Sequence, residues 1–317
     1  MEHIVRTNRL TKTFQGQEVV SNVNMNMKKG EIYGFLGPNG AGKTTVMKMI
    51  TNLVKPTSGE IEIFGEKLMP NSYHLLGRMG TIIEYPVFYD KLTARENLEL
   101  HCDYMGYYNK KAIDEALELV NLVDTGKKKV KTFSLGMKQR LGIARAITTK
   151  PELLIFDEPI NGLDPLGIKE LRDLFRMLCK EYGTALLISS HILGEIEQIA
   201  DTIGVIQGGR LLREIAMDEI RGDTTNYIEI MTTDCSRAAY VLTDKLQLNN
   251  IRVIDNQFIR IYDQHMAQSE ITKTLIMNEV VIDSIHKRSG SLEDYFLQVS
   301  NGGGVHAKFD EAGAKKI

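Results

Sequence analysis

Cysteine is scarce in this sequence. Only 3 occur in 317 residues, Cys102, Cys179 and Cys235. They lie far apart, form no Cys-x-x-Cys pair and leave an odd number. That argues against a disulfide framework or a thiolate zinc site, and suits a reducing cytoplasm. Long apolar runs are also missing, since no stretch approaches the roughly 20 residues that a membrane-spanning helix needs. The opening run Met1-Glu2-His3-Ile4-Val5-Arg6 lacks the apolar centre of a secretion signal. The chain is therefore not expected to be a membrane channel. An excess of one charge is absent as well. Lysine and arginine total 39 against 41 aspartate and glutamate, a formal net charge of -2, so no basic field invites nucleic acid. The local run Lys127-Lys128-Lys129 reads as a solvated loop or helix end. No internal repeat is present.

What is present is ordinary for a water-soluble globular protein: 43% hydrophobic and 25% charged residues. The length suggests about two domains. Over residues 1–206, apolar strand-like runs alternate with amphipathic stretches. Glu31-Ile32-Tyr33-Gly34-Phe35-Leu36 reads as a buried strand, and Thr44 to Leu53 as the helix after it. Leu153-Leu154-Ile155-Phe156 and Ala185-Leu186-Leu187-Ile188-Ser189 suit a buried parallel sheet. Helical periodicity over 94–108 and 112–123 predicts a helical insertion into that sheet, in an α/β layer architecture. After Gly208-Gly209 the order becomes strand (226–231), helix (235–246), two strands (251–261, turning at Asp255-Asn256), helix (267–278) and strand (279–285). That order predicts a small ferredoxin-like domain. Residues 292–298 read as a closing helix, and the Gly-rich polar tail from Asn301 as disordered.

Two segments carry chemistry. Gly37-Pro38-Asn39-Gly40-Ala41-Gly42-Lys43-Thr44-Thr45 satisfies the phosphate-loop pattern, between a strand and a helix. Its glycines let backbone N–H groups converge on phosphate oxygens, and the helix start adds further N–H donors and a positive dipole end. Lys43 is expected to bridge the β- and γ-phosphates of a nucleotide, and the Thr44 hydroxyl to ligate Mg²⁺. Downstream, the apolar strand 153–156 ends in Asp157 and Glu158. Carboxylates at a strand's carboxyl end suit Mg²⁺ binding through water by Asp157 and activation of the attacking water by Glu158.

Phosphate loops serve kinases, GTPases, helicases and transporters, so other segments must discriminate. Phe133-Ser134-Leu135-Gly136-Met137-Lys138-Gln139-Arg140 resembles the signature motif of ATP-binding-cassette (ABC) proteins, usually Leu-Ser-Gly-Gly-Gln. Ser134 and Gly136 match, while Phe133, Leu135 and Met137 depart. A Ser hydroxyl, a Gly amide and a helix start together make an anion receptor. In the family that receptor binds the ATP held by the opposite subunit. Asn161-Gly162-Leu163-Asp164-Pro165 resembles the D-loop, with Asp164 facing the other subunit. His191 resembles the switch histidine that senses γ-phosphate. Phe14 resembles the aromatic residue that stacks on adenine. Glu84, in Ile82-Ile83-Glu84-Tyr85-Pro86, stands where most members have the glutamine of the Q-loop, a Mg²⁺ contact. With Ser189-Ser190-His191-Ile192-Leu193, this is similar to the bacitracin-export and lantibiotic-immunity group.

The resemblance implies a P-loop NTPase nucleotide-binding domain over 1–215, a mixed sheet with a helical subdomain at about 85–145. A small α+β accessory domain would cover 226–298 and a disordered tail 301–317. It also implies hydrolysis of ATP with Mg²⁺, a homodimer closing on two ATP molecules, and an integral-membrane permease as partner. On this reading there is no nucleic-acid partner and no direct contact with the exported peptide, and the location is the cytoplasmic face of the membrane. Two rival readings remain, the ATPase of an antibiotic-sensing complex and an ABC ATPase acting on ribosomes.

Overall fold

A computed structural model describes residues 2–221, 227–248, 250–263 and 266–288. The expected helix 292–298 and tail 301–317 lie outside the described residues. The chain divides into two compact units, Met1–Ala216 and Met217–Ile317.

The first unit holds two sheets. One is antiparallel and has no counterpart in the sequence reading. It joins β1 (His3–Phe14), β2 (Gln17–Val23), β3 (Asn26–Lys28), β5 (Ser58–Ile63) and β6 (Glu66–Lys67), with β1 paired to β2, β3 and β5. The other is mixed. It runs in the order β11 (Arg210–Ala216), β10 (Thr202–Gln207), β4 (Ile32–Leu36), β9 (Ala185–Ser190), β8 (Leu153–Phe156), β7 (Met79–Ile82). All neighbours are parallel except β10 and β11. Every residue of β4, β8 and β9 is buried, which explains their unbroken apolar runs. Met27, Phe35, Met47, Ile50 and Leu187 share one core that reaches both sheets. The carboxyl ends of β4, β8 and β9 therefore open on one edge, where such sheets bind ligands.

Helix α1 (Lys43–Ile50) follows β4, and the short α2 (Tyr73–Leu76) precedes β7. Between β7 and β8 lie α3 (Ala94–Met105), α4 (Lys110–Leu119) and α5 (Leu135–Thr148). Thr93 and Glu96 form a capping box at the start of α3, and Gly106 ends it at φ 65°. That stop is why α3 is shorter than the periodic run 94–108. Helix α6 (Pro165–Tyr182) starts on the Asp164 cap with Pro165 in its first turn and ends at Gly183, φ 67°. It buries Leu171, Leu174, Phe175 and Leu178, each worth about 1.5–3 kcal/mol when fully buried, and Phe175 packs on Phe156 with ring centroids 5.5 Å apart. Helix α7 (Leu193–Glu197) connects β9 to β10.

The second unit opens with α8 (Met217–Arg221), then β12 (Tyr227–Met231), α9 (Cys235–Leu246), β13 (Ile251–Ile254), β14 (Phe258–Ile261), α10 (Gln268–Met277) and β15 (Ser284–Arg288). The antiparallel sheet runs β13-β14-β12-β15, a ferredoxin-like order. Ile228, Ile230, Val241, Leu242, Ile259 and Ile271 form its core. The last strand starts later than the 279–285 read from β-branched residues. Val280 is buried in the core while Val281 is 63% exposed, so this run plugs the core as a loop. Pairing with β12 begins at Ser284, opposite Met231.

All three cysteines are buried and free, and burial pushes the Cys179 thiol up to about 12. Among the described residues, no helix is long and apolar enough to cross a membrane.

Candidate active site

The loop 37–42 turns tightly from β4 into α1. A Cβ on Gly37 would lie 2.2 Å from the Ile206 carbonyl oxygen, and Gly42 sits at φ +104°. Neither position accepts another residue without strain. Lys43 is 5% exposed. Its ammonium donates to the carbonyls of Gly37 at 2.6 Å and Pro38 at 3.3 Å, folding back over the loop.

The start of α1 and the ends of β8 and β9 are tied together here. Thr44 Oγ1 donates to Asp157 Oδ2 at 2.7 Å, and Ser189 Oγ donates to Asp157 Oδ1 at 2.6 Å. Ser189 Oγ also accepts from the Glu158 backbone N–H at 2.9 Å. Asp157, 5% exposed, is thus fixed by a hydroxyl on each oxygen. Glu158 stands at φ 49°, a costly conformation for a non-glycine residue and a frequent one at functional sites. Its carboxylate meets three groups: Lys43 Nζ at 3.2 Å, Asn161 Nδ2 at 2.8 Å and His191 Nδ1 at 2.6 Å. Beyond the histidine, burial raises the Glu195 carboxyl above the usual carboxylate range.

A cavity of about 520 Å³ opens over these groups, lined by Asn39 to Thr45, Asp157, Glu158 and Asn161, with Glu84, Leu135 and Gln139 on its walls. Lys43, Thr44, Asp157, Glu158 and His191 are therefore in one constellation. Glu84 lines the cavity, but its carboxylate pairs with Lys48 at 2.5 Å. Phe14, at the end of β1, lies outside the cavity lining. It is 44% exposed rather than a core residue, and the Lys12 ammonium lies over its ring, 4.8 Å from the centre.

Ser134, Gly136 and Asp164 are placed elsewhere. Ser134 caps α5, its oxygen accepting from Met137 N–H at 3.2 Å, which leaves the hydroxyl proton as a donor. Asp164 caps α6 through Gly167 N–H at 3.0 Å. Sequence reasoning missed Ser189 and Asn161 as site residues. The only signal for Ser189 was a hydroxyl at the end of an otherwise apolar buried run.

The arrangement suits a nucleotide phosphate with a hard cation. Thr44 and Asp157 offer oxygen donors side by side, and among the described residues no group of three or more His, Cys, Asp or Glu could hold a metal by itself. A cation here would share its coordination with phosphate, the habit of Mg²⁺.

Residues 20–161 match the ABC transporter family. The chain is 64% identical over 307 residues to YcbN, an uncharacterized ABC transporter ATP-binding protein of Bacillus subtilis (strain 168), covering 97% of this chain and 100% of that one. It is 47% identical over 305 residues to the bacitracin transport ATP-binding protein BcrA of Bacillus licheniformis, covering 96% and 100%. Among solved structures, it is similar to a dimeric ATP-binding cassette in a post-hydrolysis state bound to ADP and Pi. There the TM-score is 0.62 and the identity 27%, over 67% of this chain and 98% of that one.

Proposed function

The chain belongs to the ABC transporter family of ATP-binding proteins, and we propose that it is the ATP-hydrolysing subunit of an exporter for peptide antibiotics of the bacitracin or lantibiotic type. The observation that carries this reading is the joint placement of Lys43, Thr44, Asp157 and Glu158 around one cavity, in a chain 47% identical to a bacitracin transport ATP-binding protein.

Lys43 and the amides of loop 37–42 bind the phosphates, and the helix start of α1 adds its dipole. Mg²⁺, held by Thr44 and Asp157 with Glu84 on the cavity wall, would neutralise phosphate charge when bound. Glu158 is the base that polarises the attacking water. His191 and Asn161 hold its carboxylate, and Ser189 fixes its backbone N–H and the Asp157 carboxylate. Phe14 offers its ring to adenine. Ser134 and Gly136 would complete the ATP site of a second copy, with Asp164 facing that copy. Two copies would close on two ATP molecules beneath an integral-membrane permease at the cytoplasmic face of the membrane, with no contact to the peptide.

The test is to purify the tagged chain from cells and to challenge those cells with bacitracin. This reading predicts copurification of a polytopic membrane protein and loss of tolerance in Glu158→Gln cells. Copurification with ribosomes, or tolerance that depends wholly on a signalling kinase, would contradict it.

A further inference from the structure

The start of α5 and the loop between β8 and α6 interlock through two leucines and two glycines. A Cβ placed on Gly162 would lie 2.6 Å from Leu135 Cδ2, and one placed on Gly136 would lie 3.1 Å from Leu163 Cδ2. Each leucine is seated on the other segment's glycine. A turn further along, Arg140 of α5 donates to Glu170 of α6 at 2.7 Å, so the two segments are fastened at two points. Leu135 stands where the usual signature motif has glycine, and Gly162 supplies the space the larger residue needs. Leu135 is 59% exposed, so this seat is not explained by burial in the core. The same loop carries Asn161, whose amide donates to Glu158 Oε2 at 2.8 Å.

We propose that Leu135 is a positioning residue for hydrolysis. Seated on Gly162, it holds Asn161 against the Glu158 carboxylate, so the segment that serves the partner copy's ATP and the base that serves the chain's own ATP are set together. The proposal rests on the reading of Glu158 as the base. A hydrogen bond from a loop amide to a carboxylate is worth about 1.5–3 kcal/mol, enough for a tenfold change in rate, but only while its geometry is good. That geometry depends on what holds the loop, and Leu135 is the side chain pressed against it.

The experiment is a double-mutant cycle on the purified full-length chain with Mg²⁺ and ATP. Leu135→Ala should lower kcat about tenfold while KM for ATP stays within about twofold, and Leu135→Met, which refills the seat, should restore it. Leu163→Ala, on the other half of the interlock, should act in the same direction. Leu135→Ala combined with Asn161→Ala should be no slower than Asn161→Ala alone, because both remove the same constraint. Unchanged kcat in Leu135→Ala, or losses that multiply in the double variant, would overturn the proposal. A Lys43→Ala control separates the two claims: ATPase activity that does not depend on Lys43 removes the reading of the site itself. Lys43-dependent activity with an uncoupled cycle removes only the role of Leu135.

Discussion

The Lys43 ammonium lies 3.2 Å from the Glu158 carboxylate, so the cation of the phosphate loop and the proposed base after β8 form one ion pair. A phosphate entering the loop competes for Lys43 and loosens its hold on Glu158. The base is then oriented by His191 and Asn161, which bind its other oxygen. On the proposed reading, phosphate binding and the freeing of the base would be a single electrostatic exchange.

Lys43→Ala should abolish hydrolysis without unfolding the chain. It removes the charge that faces the phosphates, while Glu158 keeps two hydrogen-bond partners. Phosphate release measured beside a thermal melt checks this; a folded variant with normal ATPase activity would contradict it.

Glu84 is paired with Lys48 on α1, and the two side chains are 57% and 30% exposed. An exposed pair of this kind adds about 0–1 kcal/mol, so Glu84→Gln should leave stability nearly intact, and the ATPase rate of the isolated subunit should hold because Lys43, Asp157 and Glu158 remain. Bacitracin tolerance of cells that also carry the permease should fall, since the neutral amide no longer brings a full negative charge to the proposed Mg²⁺ site. Unchanged tolerance at matched expression would remove Glu84 from the coupling path.

His101 carries a pH signature. Burial, and then the charge of Arg145, lower its imidazole from 6.5 to about 4. As pH falls below 6.5 the unfolded chain takes up the proton first, so the stability that neutral His101 provides at pH 7 drains away until about pH 4. The loss is on the order of 2 kcal/mol, allowing for partial exposure. Urea unfolding at pH 7 and pH 5 should show a smaller decline for His101→Gln than for the parent chain. Equal declines would place the titrating group elsewhere.

The first unit contains every residue proposed to bind nucleotide. A chain ending at Ala216 should therefore bind a fluorescent ATP analogue within about threefold of the full-length affinity, since a unit with its own core can fold alone. A large loss in a soluble, folded truncation would contradict that division of labour.

Much of this was legible in the sequence because the relevant signals are local. The run Leu153–Phe156 is buried on both faces, and Gly37 to Thr45 follows a strand and opens a helix, so pattern and context agree. The antiparallel sheet around β1 was not legible. Its strands alternate irregularly and their register slips between Leu10 and Lys12, which blurs the period of two that marks a half-buried strand. The last strand was misplaced because Val280-Val281-Ile282 carries β-branched residues, yet the core takes Val280 from a loop. Ser189 and Asn161 were missed for a different reason. Their roles depend on partners 32 and 3 residues away, and a hydroxyl or amide shows no such partner in the chain alone.

The central claim is that Glu158 is the base of an ATP-hydrolysing site completed by a second copy. Glu158→Gln keeps the shape of the side chain and removes its charge, so ATP should bind and not turn over. Light scattering with Mg²⁺ and ATP, run beside a phosphate-release assay, tests this most directly. The account predicts an accumulating dimer with hydrolysis reduced by about 10²-fold or more. A variant that stays monomeric with ATP, or that hydrolyses ATP at the parent rate, would contradict it.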